Sequence, residues 1–447
     1  MKSCDVLVLG ASAAGIAAGN AVKAYHPEKS VMLFRNVEKT VVPCGIPYVY
    51  GELKDVEKDI IPDGHATGSG AELFTDEAVD GDLKEKVIKF ASGEEVKYDK
   101  LILSVGSHPF VPPLPGRDLK NVFTVKKDVK VMQEIFDAVN KAKNIVVIGG
   151  GFIGVEMGEQ FNKIPGKNVT IVEMLPHCLL LAMEEEFAVM AENKLKDAGI
   201  NVLTNASAKA INGTDTVESV ELASGEKIPA DMVLIGIGAA ANVDLAKNLG
   251  LEVDMKMGIQ VDKFMQTSDP DVLAAGDCAA KVSFITGKPA PVRLASIASE
   301  EGFMAGYNTY ASDKIAMKGA VGAFGTKIGD RVFAAAGFTT GMCKMNDVEY
   351  YEGNFVGPDR HPAAFDDVTM DTKVKVIFRK SDDKLIGGDA TGNLQAVEMA
   401  NVISACIQAG YTVKDLATTQ FATHPKLTGS PLGYHICQAA ENALRNR

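Results

Sequence analysis

The sequence predicts an α/β protein containing two βαβ units of the same design. Two observations predict it. Glycine-rich turns follow short apolar strands at 5-DVLVLGASAAGIAAGNAVKAY-25 and again at 144-NIVVIGGGFIGVEMGEQF-161. Each turn opens a helix of small residues, and a second apolar strand follows each, 31-VMLFR-35 and 169-VTIVE-173. With 447 residues the chain is long for one core, so two to four domains are expected. Apolar content of 46% with 23% charged residues fits a globular protein able to bury a core.

The first turn reads Gly10, Ser12, Gly15, with Ala14 inside it, a GxGxxG with serine at the second place. The second is complete, Gly149, Gly151 and Gly154, and encloses Phe152 and Ile153. In such a turn the first glycine makes the strand-to-helix bend and the second admits a pyrophosphate. The third lets helix and strand pack closely. Two Rossmann-like three-layer domains follow from this. Glu173, closing the strand of the second unit, is placed to bind an adenosine ribose through both hydroxyls. A glutamate there repels a 2′-phosphate and favours NADH, while leaving NADPH open as a second donor. In the first unit Arg35 stands where an acidic residue is expected. Either backbone groups and the nearby Glu38 hold that ribose, or the nucleotide is held differently.

Two dinucleotide sites in one chain point to a flavin and a nicotinamide, that is, FAD with NADH. In 267-TSDPDVLAAGDCA-279 a turn leads into a short strand ending at Gly276-Asp277, and that aspartate suits a ribityl hydroxyl or a phosphate reached through water. The strand-end turns at Gly106 and Gly238 read as chain crossings between domains, beside the nucleotides.

The stretch 41-VVPCGIPYVYG-51 places Cys44 on a corner of prolines and glycines. Gly45 is expected to clear space beside it and Pro47 to start a helix, whose dipole would favour the thiolate. Seven cysteines without a CxxC pair indicate a reducing compartment, with neither a disulfide framework nor a zinc ribbon. The histidines form no metal-ligand spacing, so no metal site is expected. A net charge of −12 argues against nucleic acid and anionic membranes as partners. The run 6-VLVLGASAAGIAAGNAV-22 has glycines through it and only Lys2 ahead of it as a basic residue, unlike a signal peptide, and no stretch has membrane-spanning length. A cytoplasmic protein is expected.

In order, the glycine loop, CGIPY, LILSVGS, GGGFIGVE, VLIGIG, TSDPDVLAAGD and LASIASEEG resemble the FAD- and NAD(P)H-dependent disulfide oxidoreductases. The resemblance is to their single-cysteine branch: coenzyme A disulfide reductase, CoA-dependent persulfide reductases, NADH oxidase and NADH peroxidase. Lipoamide and glutathione reductases carry a CxxxxC pair, whereas residues 39–49 offer only Cys44. The resemblance implies a discontinuous FAD domain (1–117 and 244–318), an NAD(P)H domain (118–243) and a C-terminal α+β dimerisation domain (319–447). No sulfur-transfer domain is expected after residue 447.

It also implies roles. Phe152 would be an aromatic gate over the flavin, and Glu156 a carboxylate near the nicotinamide. Asp277 would meet the ribityl chain, and the helix opening at Leu294 and Ala295 would face the flavin's pyrimidine edge. Lys23 and Thr40 fall near positions that bind coenzyme A. His424 resembles an acid–base histidine supplied across a homodimer, although Gly429 replaces its usual carboxylate partner; Tyr434 is a second candidate. The implied activity passes electrons from NADH through the flavin to Cys44, to reduce a small disulfide or persulfide such as CoA disulfide. Two alternatives stand beside it. One is an NADH oxidase or peroxidase using a Cys44 sulfenic acid, with oxygen or peroxide as the acceptor. The other is a flavin electron carrier or redox-signalling module that depends on a partner protein.

Overall fold

The apolar strands that precede the two glycine turns become inner strands of two separate sheets and pair in parallel with both neighbours; the first sheet also carries an antiparallel edge, Ala78–Asp82 and Val87–Phe90. The structure, a computed structural model, describes residues 1–447, and the chain divides into two units. One comprises Met1–Pro112, Thr124–Ala138 and Gly238–Ala320. The other comprises Pro113–Phe123, Val139–Ile237 and Val321–Arg447.

In the first unit the Lys2–Leu9 strand lies between Val31–Arg35 and Glu95–Leu103, parallel to both. Val6, Leu7, Val8, Leu33, Leu101 and Ile102 are fully buried, as expected of parallel strands covered on both faces. Glu72–Thr75 extends the parallel part beyond Val31–Arg35, and Val272–Ala274 pairs with the end of Glu95–Leu103. The helices Ala13–Tyr25 and Ala295–Asn308 pack at backbone contact: a Cβ at Gly302 would stand 2.2 Å from the Ala14 carbonyl oxygen, and one at Gly306 2.3 Å from that of Ala18. The segments after Gly106 and Gly238, Ser107–Pro109 and Ala239–Ala241, pair with each other as an antiparallel ribbon.

In the second unit Asn201–Leu203, Asn168–Val172, Asn144–Ile148 and Met232–Ile235 run parallel in that order. Its C-terminal part is a five-stranded antiparallel sheet running Ala323–Ile328, Arg331–Gly337, Leu385–Gly392, Thr372–Arg379, Tyr350–Gly357. The helices Gln395–Ala409 and His435–Arg445 pack on that sheet. The first ends at Gly410 with φ of +72°, a left-handed cap. No helix is long and apolar enough to cross a membrane.

Candidate functional site: two nucleotide cradles and an exposed thiol

The two glycine turns are near-copies. Gly10 has φ of +111° and Gly149 of +110°. The Gly10 N–H donates to the Phe34 carbonyl at 2.7 Å, and that of Gly149 to the Val172 carbonyl at 2.8 Å. A Cβ at Gly15 would stand 1.8 Å from the Gly10 carbonyl oxygen, and one at Gly154 1.8 Å from that of Gly149. By contrast, a Cβ at Gly151 would meet nothing within 4 Å. That glycine answers no packing demand of the chain itself, which fits an approaching pyrophosphate. Ser12 and Gly151 are extended N-cap residues with no side-chain cap, so the first-turn amides of both helices remain available to an anion.

The strand ends differ. Glu173 is buried, and its carboxylate accepts the Gly150 N–H at 2.6 Å and the Leu175 N–H at 2.7 Å, fixing it against the turn. Arg35 is buried and forks onto Asp63, Nη1 to Oδ1 at 2.5 Å and Nη2 to Oδ2 at 3.1 Å. Its Nη1 also donates to Thr40 Oγ1 at 3.3 Å, while its buried Nε has no partner. Glu38 does not join this group; it is exposed and paired with Lys130 at 3.0 Å.

Later in the chain of the first unit Gly276 has φ of +82°, and its N–H donates to Glu301 Oε2 at 2.8 Å. The buried Lys281 donates to the Gly276 carbonyl at 2.7 Å and pairs with Glu301 at 3.1 Å. A Cβ at Gly276 would stand 2.9 Å from that of the buried Ala14, which brings the Asp277 turn against the first helix. Asp277 Oδ2 accepts from Ser107 Oγ at 2.7 Å and Lys127 Nζ at 3.2 Å. Burial works to raise the pKa of Asp277, but Lys127, Ser107 and Lys281 together hold it below the usual carboxylate range. Gly106 and Gly238, with φ of +69° and +118°, open the ribbon that carries Ser107. Leu294 is the extended N-cap of the Ala295–Asn308 helix and has no side-chain cap, leaving its first amides open as well. A glycine cradle, an ionised aspartate and an unpartnered buried guanidinium Nε are a donor and acceptor set that fits FAD.

Cys44 is exposed, in a run of turns that includes hydrogen bonds from Gly45 N to Val42 O at 2.8 Å and from Tyr48 N to Gly45 O at 2.9 Å. The helix expected from Pro47 is only the five-residue π-helical segment Val49–Leu53, ended by Lys54 at φ of +55°. So short a segment carries little dipole, which corrects the expected helix effect on the thiol. The space that Gly45 clears is filled by the carboxyl of Asp59, whose Oδ1 would lie 1.9 Å from a Cβ there. Asp59 is 3% exposed, its Oδ2 is buried without a partner, and burial pushes its pKa up to about 6.

A carboxyl whose pKa is raised on folding contributes fully below its unfolded value and loses that contribution as pH rises through the folded one. The stability of Asp59→Asn relative to the unsubstituted protein is therefore expected to improve by about 2 kcal/mol between pH 4 and pH 7. Urea unfolding at the two pH values measures it.

In the second unit Phe152 is half-buried at the start of the Phe152–Asn162 helix, and its ring stacks on Phe324 with centroids 5.3 Å apart. Ile153 beside it is exposed. Burial, with Glu159 adding to it, pushes the Glu156 carboxyl up to about 7. In the C-terminal part the exposed His424 accepts the Lys426 N–H on Nδ1 at 3.3 Å, and Tyr434 stacks on Phe421 at 4.5 Å. Burial raises the pKa of the Tyr434 phenol. His435 is fully buried, with Nε2 against the Gly357 carbonyl at 3.1 Å and Nδ1 without a partner.

The two coenzyme A candidates are engaged within the chain. Lys23 Nζ donates to the Pro27 and Lys29 carbonyls at 2.7 and 2.9 Å. Thr40 is buried and donates to the Ala11 carbonyl at 2.9 Å while accepting from Arg35. Sequence reasoning missed Asp59, Asp63, Ser107, Lys127 and Phe324. The turn text IIPDG was the only local sign of Asp63.

A family model described as pyridine nucleotide-disulphide oxidoreductase matches residues 4–302, and a model of that family's dimerisation domain matches residues 325–431. The chain is 28% identical to an NADH oxidase of Methanocaldococcus jannaschii, with 98% of each chain covered. It is 30% identical to a CoA-dependent NAD(P)H sulfur oxidoreductase of Pyrococcus furiosus, covering 95% of this chain and 96% of that one. The fold is similar to that of an NAD-dependent persulfide reductase from A. fulgidus, with a TM-score of 0.90 at 27% identity, covering 99% of this chain and 83% of that one.

Proposed function

The chain belongs to the pyridine nucleotide-disulphide oxidoreductases, NAD(P)H-dependent flavoproteins that use FAD, and we propose that it reduces a small disulfide or persulfide at Cys44 with electrons from NADH. The observation that carries this reading is the exposure of Cys44 on a turn of the first unit, the unit that also bears the Gly10 cradle and Asp277. When bound, FAD supplies the two-electron link between a nicotinamide and sulfur.

The residues of the chain bind and orient. The Gly149–Gly154 turn and Glu173 take the pyrophosphate and adenosine ribose of NADH. Gly10, Ser12 and Gly15 take the pyrophosphate of FAD, and Asp277, steadied by Ser107 and Lys127, accepts from ribityl hydroxyls. Cys44 attacks the acceptor sulfur as a thiolate, forming a mixed disulfide and releasing one thiolate; two electrons then cleave that disulfide and restore Cys44. The balance is NADH + H⁺ + RSSR → NAD⁺ + 2 RSH, or, for a persulfide, NADH + H⁺ + RSSH → NAD⁺ + RSH + H₂S. In a homodimer built through the C-terminal domain, His424 or Tyr434 returns the proton to the leaving thiolate. The cytoplasm is the compartment this chemistry suits.

Oxygen or peroxide as acceptor is the second reading, with Cys44 cycling through a sulfenic acid. The internal engagement of Lys23 and Thr40 favours it, because Lys23 spends two of its three donors on backbone carbonyls and Thr40 is buried.

Anaerobic NADH oxidation with CoA disulfide or polysulfide separates the two readings from aerobic oxidation without them, when combined with the mass of the Cys44 peptide from untreated protein. The expected result is faster turnover with the sulfur acceptors and a thiol adduct on Cys44. Faster oxygen or peroxide consumption with a sulfenic acid selects the second reading. Flavin bleaching without turnover on any small acceptor makes the protein a partner-dependent carrier.

A further inference from the structure

We infer that Asp63 is the carboxylate that holds the adenosine ribose of FAD, with Arg35 as its fixed counter-ion. This rests on the reading that FAD occupies the first unit. A ribose diol presents two O–H donors, and a strand-end carboxylate is the usual acceptor for both. Arg35 occupies that strand end and has no acceptor atom. The acceptor therefore has to come from elsewhere, and the guanidinium points to it. Both Nη atoms fork onto Asp63, which arrives from the 60–64 loop, 25 or more positions along the chain.

That loop is tied down beside the strand. The Ile61 N–H donates to the Thr40 carbonyl at 2.8 Å, and Val41 and Ile60 form an antiparallel bridge. Thr40 in turn binds the Ala11 carbonyl, inside the glycine turn. A small pocket at this spot is lined by Ala11, Ile16, Arg35, Thr40, Asp63 and Ala66. The Asp63 side chain is 56% exposed while engaged on its Arg35 side, so the outward lone pairs of its carboxylate remain for the two hydroxyls.

The second observation is independent of that pairing. Arg35 Nε is buried within a side chain only 8% exposed and has no partner. That unpaired donor, beside the carboxylate that engages the rest of the guanidinium, marks this strand end as still lacking a polar partner. Glu38, the other acidic residue near the strand end, is held away by Lys130.

The test compares FAD with an FAD analogue lacking the adenosine 2′-hydroxyl, each exchanged into the holoenzyme and followed by flavin fluorescence. The native protein is expected to prefer FAD by about tenfold or more, as for loss of a hydrogen bond to a charged group. Asp63→Asn is expected to weaken FAD binding and to reduce that preference to about twofold or less. Asp63→Glu keeps the ion pair while displacing the carboxylate, so its preference should fall without a fall in melting temperature; it serves if the asparagine variant does not fold. A preference unchanged in the folded variants overturns the inference and leaves Asp63 as a partner of Arg35 alone. A native protein that binds no FAD at all overturns instead the reading on which it rests.

Discussion

Replacing Cys44 with serine is expected to lower NADH-driven turnover of disulfide and persulfide acceptors by on the order of a thousandfold or more. The size of the effect follows from the state of the other six thiols. Burial pushes Cys4, Cys178 and Cys343 up to about 12 and Cys278 and Cys437 to about 11, and it raises Cys406 as well. Only a thiolate attacks sulfur, so at neutral pH none of these can replace the lost nucleophile. Cys44 is the exposed thiol of the seven. Binding of NADH and its reaction with the bound flavin do not need the thiol, so the variant should still be bleached by NADH at close to the native rate. Steady-state turnover on each acceptor and stopped-flow absorbance at the flavin band measure the two halves. A serine variant that keeps full turnover on every acceptor would remove Cys44 from the chemistry.

The parts of this site that follow from local text were legible in the sequence, and those that depend on long-range closure were not. The two glycine turns are set by backbone sterics over six residues. Their spacing alone therefore predicted the bend at Gly10 and Gly149, made at positive φ, and the tight approach at Gly15 and Gly154. Glu173 was readable for the same reason, since a strand of known length delivers it to the turn. Arg35 broke the pattern, and its resolution lay 28 residues away at Asp63, reached only through the Val41–Ile60 bridge. Asp59 was hidden in the same way: a carboxyl beneath Gly45 is placed by the fold of the 55–63 loop, not by the CGIPY text. Lys23 looked available because a surface lysine on a helix usually is. Two carbonyls just beyond the helix end, at Pro27 and Lys29, claim its ammonium instead. The helix after Cys44 failed for a related reason. Pro47 suits a helical first turn, but the turns through Tyr50 close by three-residue hydrogen bonds, and the π-helical segment stops at Lys54.

Because the two turns are near-copies, equivalent substitutions in them should separate the two cofactors. Gly15→Val is expected to yield protein largely without flavin, and Gly154→Val protein that keeps its flavin but shows a KM for NADH raised by about tenfold or more. In each case a Cβ would sit 1.8 Å from a backbone oxygen, that of Gly10 or Gly149, which no rotamer change relieves. The helix must move off its strand, carrying with it the first-turn amides that would face a pyrophosphate. At Gly15 the displaced helix is the one in backbone contact with Gly302 and Gly306, so the damage spreads through the first unit to the Asp277 turn. At Gly154 it stays within the second unit, whose helix starts at Phe152 and packs beside Asn168–Val172. The flavin-to-protein absorbance ratio of the purified variants and steady-state kinetics against NADH read the two defects separately, and dithionite should still bleach the Gly154→Val flavin that NADH reduces poorly. If Gly154→Val lost its flavin, or Gly15→Val kept it and lost NADH binding instead, the assignment of one dinucleotide to each turn would be wrong.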